Sequence, residues 1–186
     1  MAGGRGGGRL CLLVMIKRLF SRSPKPRLRV LMVCTGNICR SPTAEGVLRS
    51  QLDKAGLAEL VEVGSAGTQA FHRGMPADPR AVAHAARRGY VLDRIRSRPV
   101  VDADFERHDL LLAMDRDHLE WLQERCPAAL RDRLGLLLTH APRLGADEVP
   151  DPYYGGPPSF DHALDLIEAG CAGLLPLLQD RLARAD

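Results

Sequence analysis

Cys34 and Arg40 stand at the two ends of Cys34-Thr35-Gly36-Asn37-Ile38-Cys39-Arg40, and Ser41-Pro42 follows at once. Gly36 admits dihedrals closed to other residues and Asn37 tolerates the left-handed region, so the run can fold as a tight loop. Such a loop at a helix start turns successive backbone N–H groups into one concavity, a receptor for an oxyanion. A thiol aimed into that concavity has its thiolate stabilised by the amides, the helix end and the guanidinium. The guanidinium can also grip two oxygens of a phosphate at once. The run therefore combines a sulfur nucleophile with a phosphate receptor. The plainer readings are a buried structural thiol for Cys34 and a surface arginine for Arg40. Against the second, a cation at a helix N-terminus opposes the helix dipole and needs an anion beside it.

A strand must precede the loop and a helix must follow it. Residues 30–33 are an apolar run of the kind a buried parallel strand shows. Ser41 reads as an N-cap and Pro42 as the first helical residue, which predicts a helix over 42–55 with Ala44, Val47, Leu48 and Leu52 on one face. The alternation then continues. Residues 60–63 read as a strand ending in Ser65-Ala66-Gly67-Thr68, and 76–88 as a helix stopped by Gly89. Residues 100–105 read as a short helix or turn, 109–113 as a strand, 116–125 as a helix and 134–138 as a fourth strand. A loop rich in proline (Pro142, Pro150, Pro152, Pro157, Pro158) leads to a last helix over 160–183, disturbed near Pro176. The expected fold is α/β: a three-layer, doubly wound sheet of about four parallel strands with helices on both faces. Ligands of such sheets bind beyond the carboxyl ends of the strands, where the Cys34 loop falls.

The chain has 186 residues, 45% of them hydrophobic, enough for one such domain. We expect it over 30–186, behind a basic, Gly-rich extension over 1–29 that does not fold alone. The first 33 residues hold eight Lys or Arg and no acid. The remainder therefore carries 18 basic against 23 acidic residues, a difference of −5. The overall charge of +3 belongs to the tail and argues for no nucleic-acid surface on the body. Sparse aromatics argue the same way. Residues 10–16 are short for a secretory segment, Lys17 and Arg18 follow where small residues would mark cleavage, and no run is long enough to span a membrane. Five cysteines (Cys11, Cys34, Cys39, Cys126, Cys171) form no C-x-x-C pair and no zinc spacing, which suits free thiols in a reducing cytoplasm. His72, His84, His108, His140 and His162 show no metal-ligand spacing and read as solvated or core-satisfied rings.

The run Cys34-Thr-Gly-Asn-Ile-Cys-Arg-Ser-Pro-Thr-Ala-Glu, together with the distant Val149-Pro-Asp-Pro-Tyr-Tyr-Gly-Gly, resembles the low-molecular-weight protein tyrosine phosphatases. Ser65-Ala66-Gly67-Thr68, Pro76-Ala77-Asp78-Pro79-Arg80, Met114-Asp115 and Leu164-Asp165-Leu166-Ile167 fit the same pattern. The resemblance implies a phosphomonoesterase needing no metal or other cofactor, acting as a cytoplasmic monomer on phosphotyrosine in proteins and releasing inorganic phosphate. Cys34 matches the nucleophile, Arg40 the phosphate clamp, and Asp151 the general acid; read alone, Asp151 before Pro152 would only open a turn. Thr35, Gly36, Asn37, Ile38, Cys39 and Ser41 match the phosphate loop. Asn37 matches the residue that holds its shape, and Ser41 the serine that hydrogen-bonds the sulfur and favours its thiolate. Tyr153 and Tyr154 match aromatics that wall the slot. Cys39 matches a cysteine that captures an oxidised nucleophile as a reversible disulfide.

Two positions depart from the family pattern. Ile95 stands where a histidine is usual, and His118 where an asparagine is common. Two other chemistries share the scaffold. Arsenate reduction calls for a relay of further redox cysteines, and Cys126 and Cys171 have no partner nearby in sequence. Arginine-phosphate hydrolysis tends to go with threonine in place of Ile38.

Overall fold

Side chains along the first strand point alternately to two faces, and that alternation sets the layers. In the computed structural model, which describes residues 26–184, β1 is Leu28–Cys34. Val30, Met32 and Cys34 face one side, against Ala44, Val47 and Leu48 of α1 (Arg40–Lys54) and Leu164, Ile167, Leu174 and Leu178 of α5 (Pro157–Arg184). Leu31 and Val33 face the other, against Phe105 of α3 (Asp102–Arg107) and Leu122 of α4 (Arg116–Arg125). Both faces of β1 are closed to solvent, and each such side chain contributes roughly 1.5–3 kcal/mol by burial. The shorter α2 (Pro79–Arg87) packs against α5 beside the loop that follows β1.

With β2 (Val61–Gly67), β3 (Leu110–Ala113) and β4 (Leu134–Leu136), the sheet has the order β2-β1-β3-β4, every pair parallel. The chain moves one way from β1 to β2 and the other way to β3. The carboxyl end of β1 is therefore the switch point of a doubly wound sheet, the place where such folds bind ligands. The expected layering and strand number agree with this architecture.

Several boundaries differ, each for a local reason. Helix α1 begins at Arg40 rather than Pro42, and its N-cap is Cys39, with no side-chain capping bond. Ser41 is thus inside the first turn, and its hydroxyl serves the loop instead of the helix end. Strand β2 runs on past residue 63 through Gly64-Ser65-Ala66-Gly67, pairing in register up to Cys34↔Gly67. Helix α2 starts late because Asp78 caps it by accepting from the Arg80 N–H, while Pro76 bridges to Arg96. Strand β4 stops at Leu136 and the chain tightens into a 3-10 turn over Leu137–His140. Helix α5 continues through Pro176; the carbonyl left unbonded belongs to Ala172, an exposed residue. The expected domain start at residue 30 falls inside β1, and the expected extension over 1–29 lies mostly outside the described residues. No helix among the described residues is long and apolar enough to cross a membrane.

Strand β2 forms the outer edge of the sheet, and Arg49 of α1 lies over it, donating from Nε and Nη2 to the Val63 carbonyl at 3.2 and 2.8 Å.

Glycine sets how closely α5 approaches the 3-10 turn after β4. A Cβ on Gly173 would lie 1.8 Å from the His140 carbonyl oxygen, which is backbone and cannot swing aside. Alanine is the better helix former by about 1 kcal/mol, yet overpacking costs about 1–3 kcal/mol. We expect Gly173→Ala to lower the midpoint of urea unfolding; a raised midpoint would mean that α5 does not lie against this turn.

Candidate active site

The loop after β1 is held by its carbonyls. The Cys34 oxygen accepts from Thr68 N–H at 2.8 Å, Thr35 from Gln69 at 3.0 Å, and Ile38 from Asp78 at 2.8 Å. The Gly36 oxygen accepts from the Ser97 hydroxyl at 2.9 Å. The Cys39 oxygen takes both the Thr43 amide and the Thr43 hydroxyl. The first two bonds need the β2 end to come close, and a Cβ on Gly67 would sit 2.5 Å from the Thr35 oxygen. With the carbonyls engaged by the scaffold, the amides are left over. No backbone N–H from Thr35 through Ser41 donates to a protein acceptor among the described residues. Buried amides are almost always paired, so a run of unpaired ones at a helix start is a receptor for an anion.

Asn37 keeps the loop in that form. It has φ 53°, the one positive value among described non-glycine residues, and is fully buried. Its amide donates to the hydroxyls of Ser41 (2.9 Å) and Ser65 (2.8 Å), and its carbonyl accepts the Arg98 N–H at 3.0 Å. The Ser65 hydroxyl in turn donates to Glu45, whose carboxyl is raised by burial, an effect opposed by Ser65 and Arg49. Ser41 Oγ lies 3.0 Å from the Cys34 sulfur and 3.3 Å from the Ala66 oxygen. Since Asn37 already donates to it, the single hydroxyl proton goes either to the Ala66 oxygen or to the sulfur, and ionisation of the sulfur favours the latter.

Arg40, only 4% exposed, is held in a fork. Nη1 donates to Asp115 at 2.7 Å and to the Val149 oxygen at 3.0 Å. Nη2 lies 3.5 Å from Asp151, whose side chain is 44% exposed. Burial raises the Asp115 carboxyl, but hydrogen bonds from His118 and the charges of His118 and Arg40 outweigh it and hold Asp115 at about 2. Asp115 therefore stays anionic and fixes one end of the guanidinium. The other end is turned toward the mouth.

That mouth is a cleft of about 300 Å³ with Cys34 on its floor and Ile38, Phe71, His72, Tyr153 and Tyr154 around it. Tyr153 packs with Ile38, Cys39 and Phe160, while Tyr154 is 94% exposed and meets Tyr153 edge-on at 5.0 Å. Arg80 braces this wall. Its guanidinium lies over the Tyr153 and Phe160 rings and donates to the Tyr153 oxygen at 2.9 Å. Cys39 lines the cleft too; burial, then the carboxylate of Asp78, raise its thiol well above the usual range, so it stays protonated.

Cys34, Thr35, Gly36, Ile38, Cys39, Arg40, Asp151, Tyr153 and Tyr154 are thus brought to one cleft, with Asn37 and Ser41 directly beneath. Sequence reasoning gave no role to His72, which borders the cleft, or to Asp115, which aims Arg40. Phe71 escaped notice as well, although an isolated aromatic in a polar stretch was a signal. Ile95, in place of the usual histidine, is buried with Leu92 and Ala77, and the loop support at Gly36 and Asn37 comes from Ser97 and the Arg98 amide. No group of three or more His, Cys, Asp or Glu among the described residues is placed to hold a metal ion.

Comparison with known proteins gives one answer. The profile of the family described as low molecular weight phosphotyrosine protein phosphatase matches residues 29–184. A low molecular weight protein-tyrosine-phosphatase of Streptomyces coelicolor is 45% identical over 158 residues, 83% of this chain and 95% of that one. Low molecular weight protein-tyrosine phosphatase A of Mycobacterium tuberculosis is 41% identical over 159 residues, 84% and 95% of the two chains. A crystal structure of a protein tyrosine phosphatase from Entamoeba histolytica, with Hepes in its active site, superposes with TM-score 0.80 at 39% identity, covering 82% of this chain and 97% of that one.

Asn37 provides the test of how the loop is held. Asn37→Ala removes three hydrogen bonds, to Ser41, Ser65 and the Arg98 amide, and keeps a Cβ at positive φ without the amide that holds it there, a loss of about 3 kcal/mol or more. Asn37→Gly relieves the dihedral alone and should recover about 1 kcal/mol of it. Urea unfolding of both variants checks this; equal losses would mean the backbone conformation carries no strain.

Proposed function

The chain belongs to the low molecular weight phosphotyrosine protein phosphatases, and on that premise we propose that Cys34, Arg40 and Asp151 carry its hydrolysis of phosphotyrosine. The protein is a phosphoric monoester hydrolase acting on a phosphoprotein. What supports the residue assignment is one arrangement: the seven unpaired amides of Thr35 to Ser41 around Cys34, with Arg40 at their end and Asp151 at the mouth.

In the first step the Cys34 thiolate attacks phosphorus and the bond from phosphorus to the phenolic oxygen breaks. Asp151, as the acid, gives its proton to the leaving phenolate. In the second, Asp151 as carboxylate takes a proton from water, the water oxygen bonds to phosphorus, and the phosphorus–sulfur bond breaks to regenerate the thiolate and release inorganic phosphate. Charge spreads over the three equatorial oxygens of each transition state, where the loop amides and Arg40 neutralise it without rearranging. These groups supply the positive field that a metal supplies elsewhere. Depth favours the aryl ester. Cys34 is 3% exposed at the cleft floor, so a short phosphoserine does not reach it, whereas a phenyl ring does, lying between Ile38 and the tyrosines.

Arsenate reduction is disfavoured because neither Cys126 nor Cys171 lines the cleft, which leaves no second relay thiol beyond Cys39 among the described residues. The free thiols suit a cytoplasmic protein, and we assign it there as a monomer.

We expect para-nitrophenyl phosphate and phosphotyrosine peptide to be hydrolysed equally well with and without a chelator. Cys34→Ser should abolish turnover. Asp151→Asn should lower kcat by roughly 10²–10⁴-fold, most for the poorest leaving groups. Substantial activity in Cys34→Ser would overturn the assignment. Cys39 gives a second expectation. Peroxide converts the Cys34 thiolate to a sulfenic acid, and condensation with the Cys39 thiol forms the disulfide and releases water. Inactivation should therefore be reversed by a dithiol in the parent and become irreversible in Cys39→Ser; irreversible loss in both would remove this role.

A further inference from the structure

The two ends of the phosphate loop are tied to each other by a side chain from another element. His118 lies in the first turn of α4, buried to 4% exposure. Its Nε2 is 2.7 Å from the hydroxyl of Thr35, the residue directly after the nucleophile. Its Nδ1 is 2.6 Å from Asp115 Oδ1, off the ideal hydrogen-bond direction. The other oxygen of Asp115 holds Arg40 at 2.7 Å. One imidazole thus spans from residue 35 to the carboxylate that aims residue 40. We propose that His118 is a positioning residue of the phosphatase reaction, setting the width of the oxyanion receptor by fixing Thr35 and the Asp115–Arg40 pair relative to each other.

The rival explanation is helix capping, and the geometry separates the two. Asp115 caps α4 by accepting the His118 backbone N–H at 2.9 Å, a bond that does not involve the ring. Removing the imidazole leaves this cap in place. What is lost is the tie to the loop: the Thr35 hydroxyl is freed, and Asp115 keeps Arg40 without a lateral brace. The consequence falls on anion binding and on transition-state charge, because those are the tasks of the loop amides and Arg40. It does not fall on proton delivery, since neither His118 nor Thr35 is bonded to Asp151, which meets this strap only at the far nitrogen of Arg40, Nη2, at 3.5 Å. An asparagine, common at this position in the family pattern, carries a single amide in place of two ring nitrogens on opposite sides.

The inference rests on the phosphatase reading, and the test keeps the two apart. The full chain, Cys34→Ser, His118→Ala, Thr35→Val and the double variant are compared by steady-state kinetics on a series of aryl phosphates, by inhibition with inorganic phosphate, and by thermal melting. An inactive parent, or an active Cys34→Ser, would sink the reading itself. Given an active parent, His118→Ala should lose roughly tenfold in kcat and weaken phosphate inhibition by a similar factor. The dependence of kcat on leaving-group pKa should not change. The double variant should be no worse than His118→Ala, because both changes cut the same tie. Values of kcat and phosphate inhibition within twofold of the parent in folded His118→Ala would overturn the proposal, as would multiplicative losses in the double variant or an altered leaving-group dependence. Should His118→Ala fail to fold, Thr35→Val, at an exposed position, carries the test: its kcat and phosphate affinity must fall together, and unchanged values overturn it.

Discussion

Everything at the cleft follows from where the loop carbonyls go. A peptide unit has one donor and one acceptor on opposite sides, so engaging its oxygen fixes the direction of the neighbouring N–H. Thr68, Gln69, Asp78, Ser97 and Thr43 take the oxygens of five loop residues, and these donors come from four separate parts of the chain. The unpaired amides are therefore a property of the whole domain, imposed from β2, α1, the residues before α2 and the segment near Ser97. Bound phosphate oxygens supply the acceptors that the loop itself withholds from these amides, with no change of backbone needed.

Charge is arranged on the same principle. A guanidinium buried as deeply as that of Arg40 is costly unless paired, and Asp115 pairs it from behind while Asp151 stands at the open side. A single carboxylate would leave Arg40 either unpaired or fully neutralised. Two, one committed and one exposed, let the guanidinium keep a counterion while turning its free edge to an incoming dianion. The exposed acid is also the one to which we assign proton exchange with the leaving group and with water.

The layered fold was legible because strands buried on both faces leave continuous apolar runs and amphipathic helices a 3.6-residue period, in residues close in sequence. Cys34, Arg40 and the loop between them were legible because five residues of spacing fix their proximity. Asp151 was not legible from its own residues, since Asp-Pro reads as a turn; the family pattern placed it. The supporting shell was the least visible. Asn37 meets Ser65 and the Arg98 amide, Thr35 meets His118, and Arg40 meets Asp115 and Val149, at separations of 28, 61, 83, 75 and 109 residues. No local period encodes such partners. Ser41 shows the limit from the other direction: its identity fits an N-cap, yet the helix starts two residues earlier than that cap implies and the hydroxyl is used by sulfur and Asn37.

The guanidinium of Arg49 over the Val63 carbonyl has a consequence for how copies of this chain meet. An outer strand with open acceptors is a template onto which another strand can zip, the first step toward fibrils. Here an incoming chain would have to evict a cation that Glu45 also holds at 2.7 Å. The same helix that opens at the phosphate-binding end thus guards the sheet margin two turns later, so a lesion that loosened α1 would invite self-association together with loss of turnover.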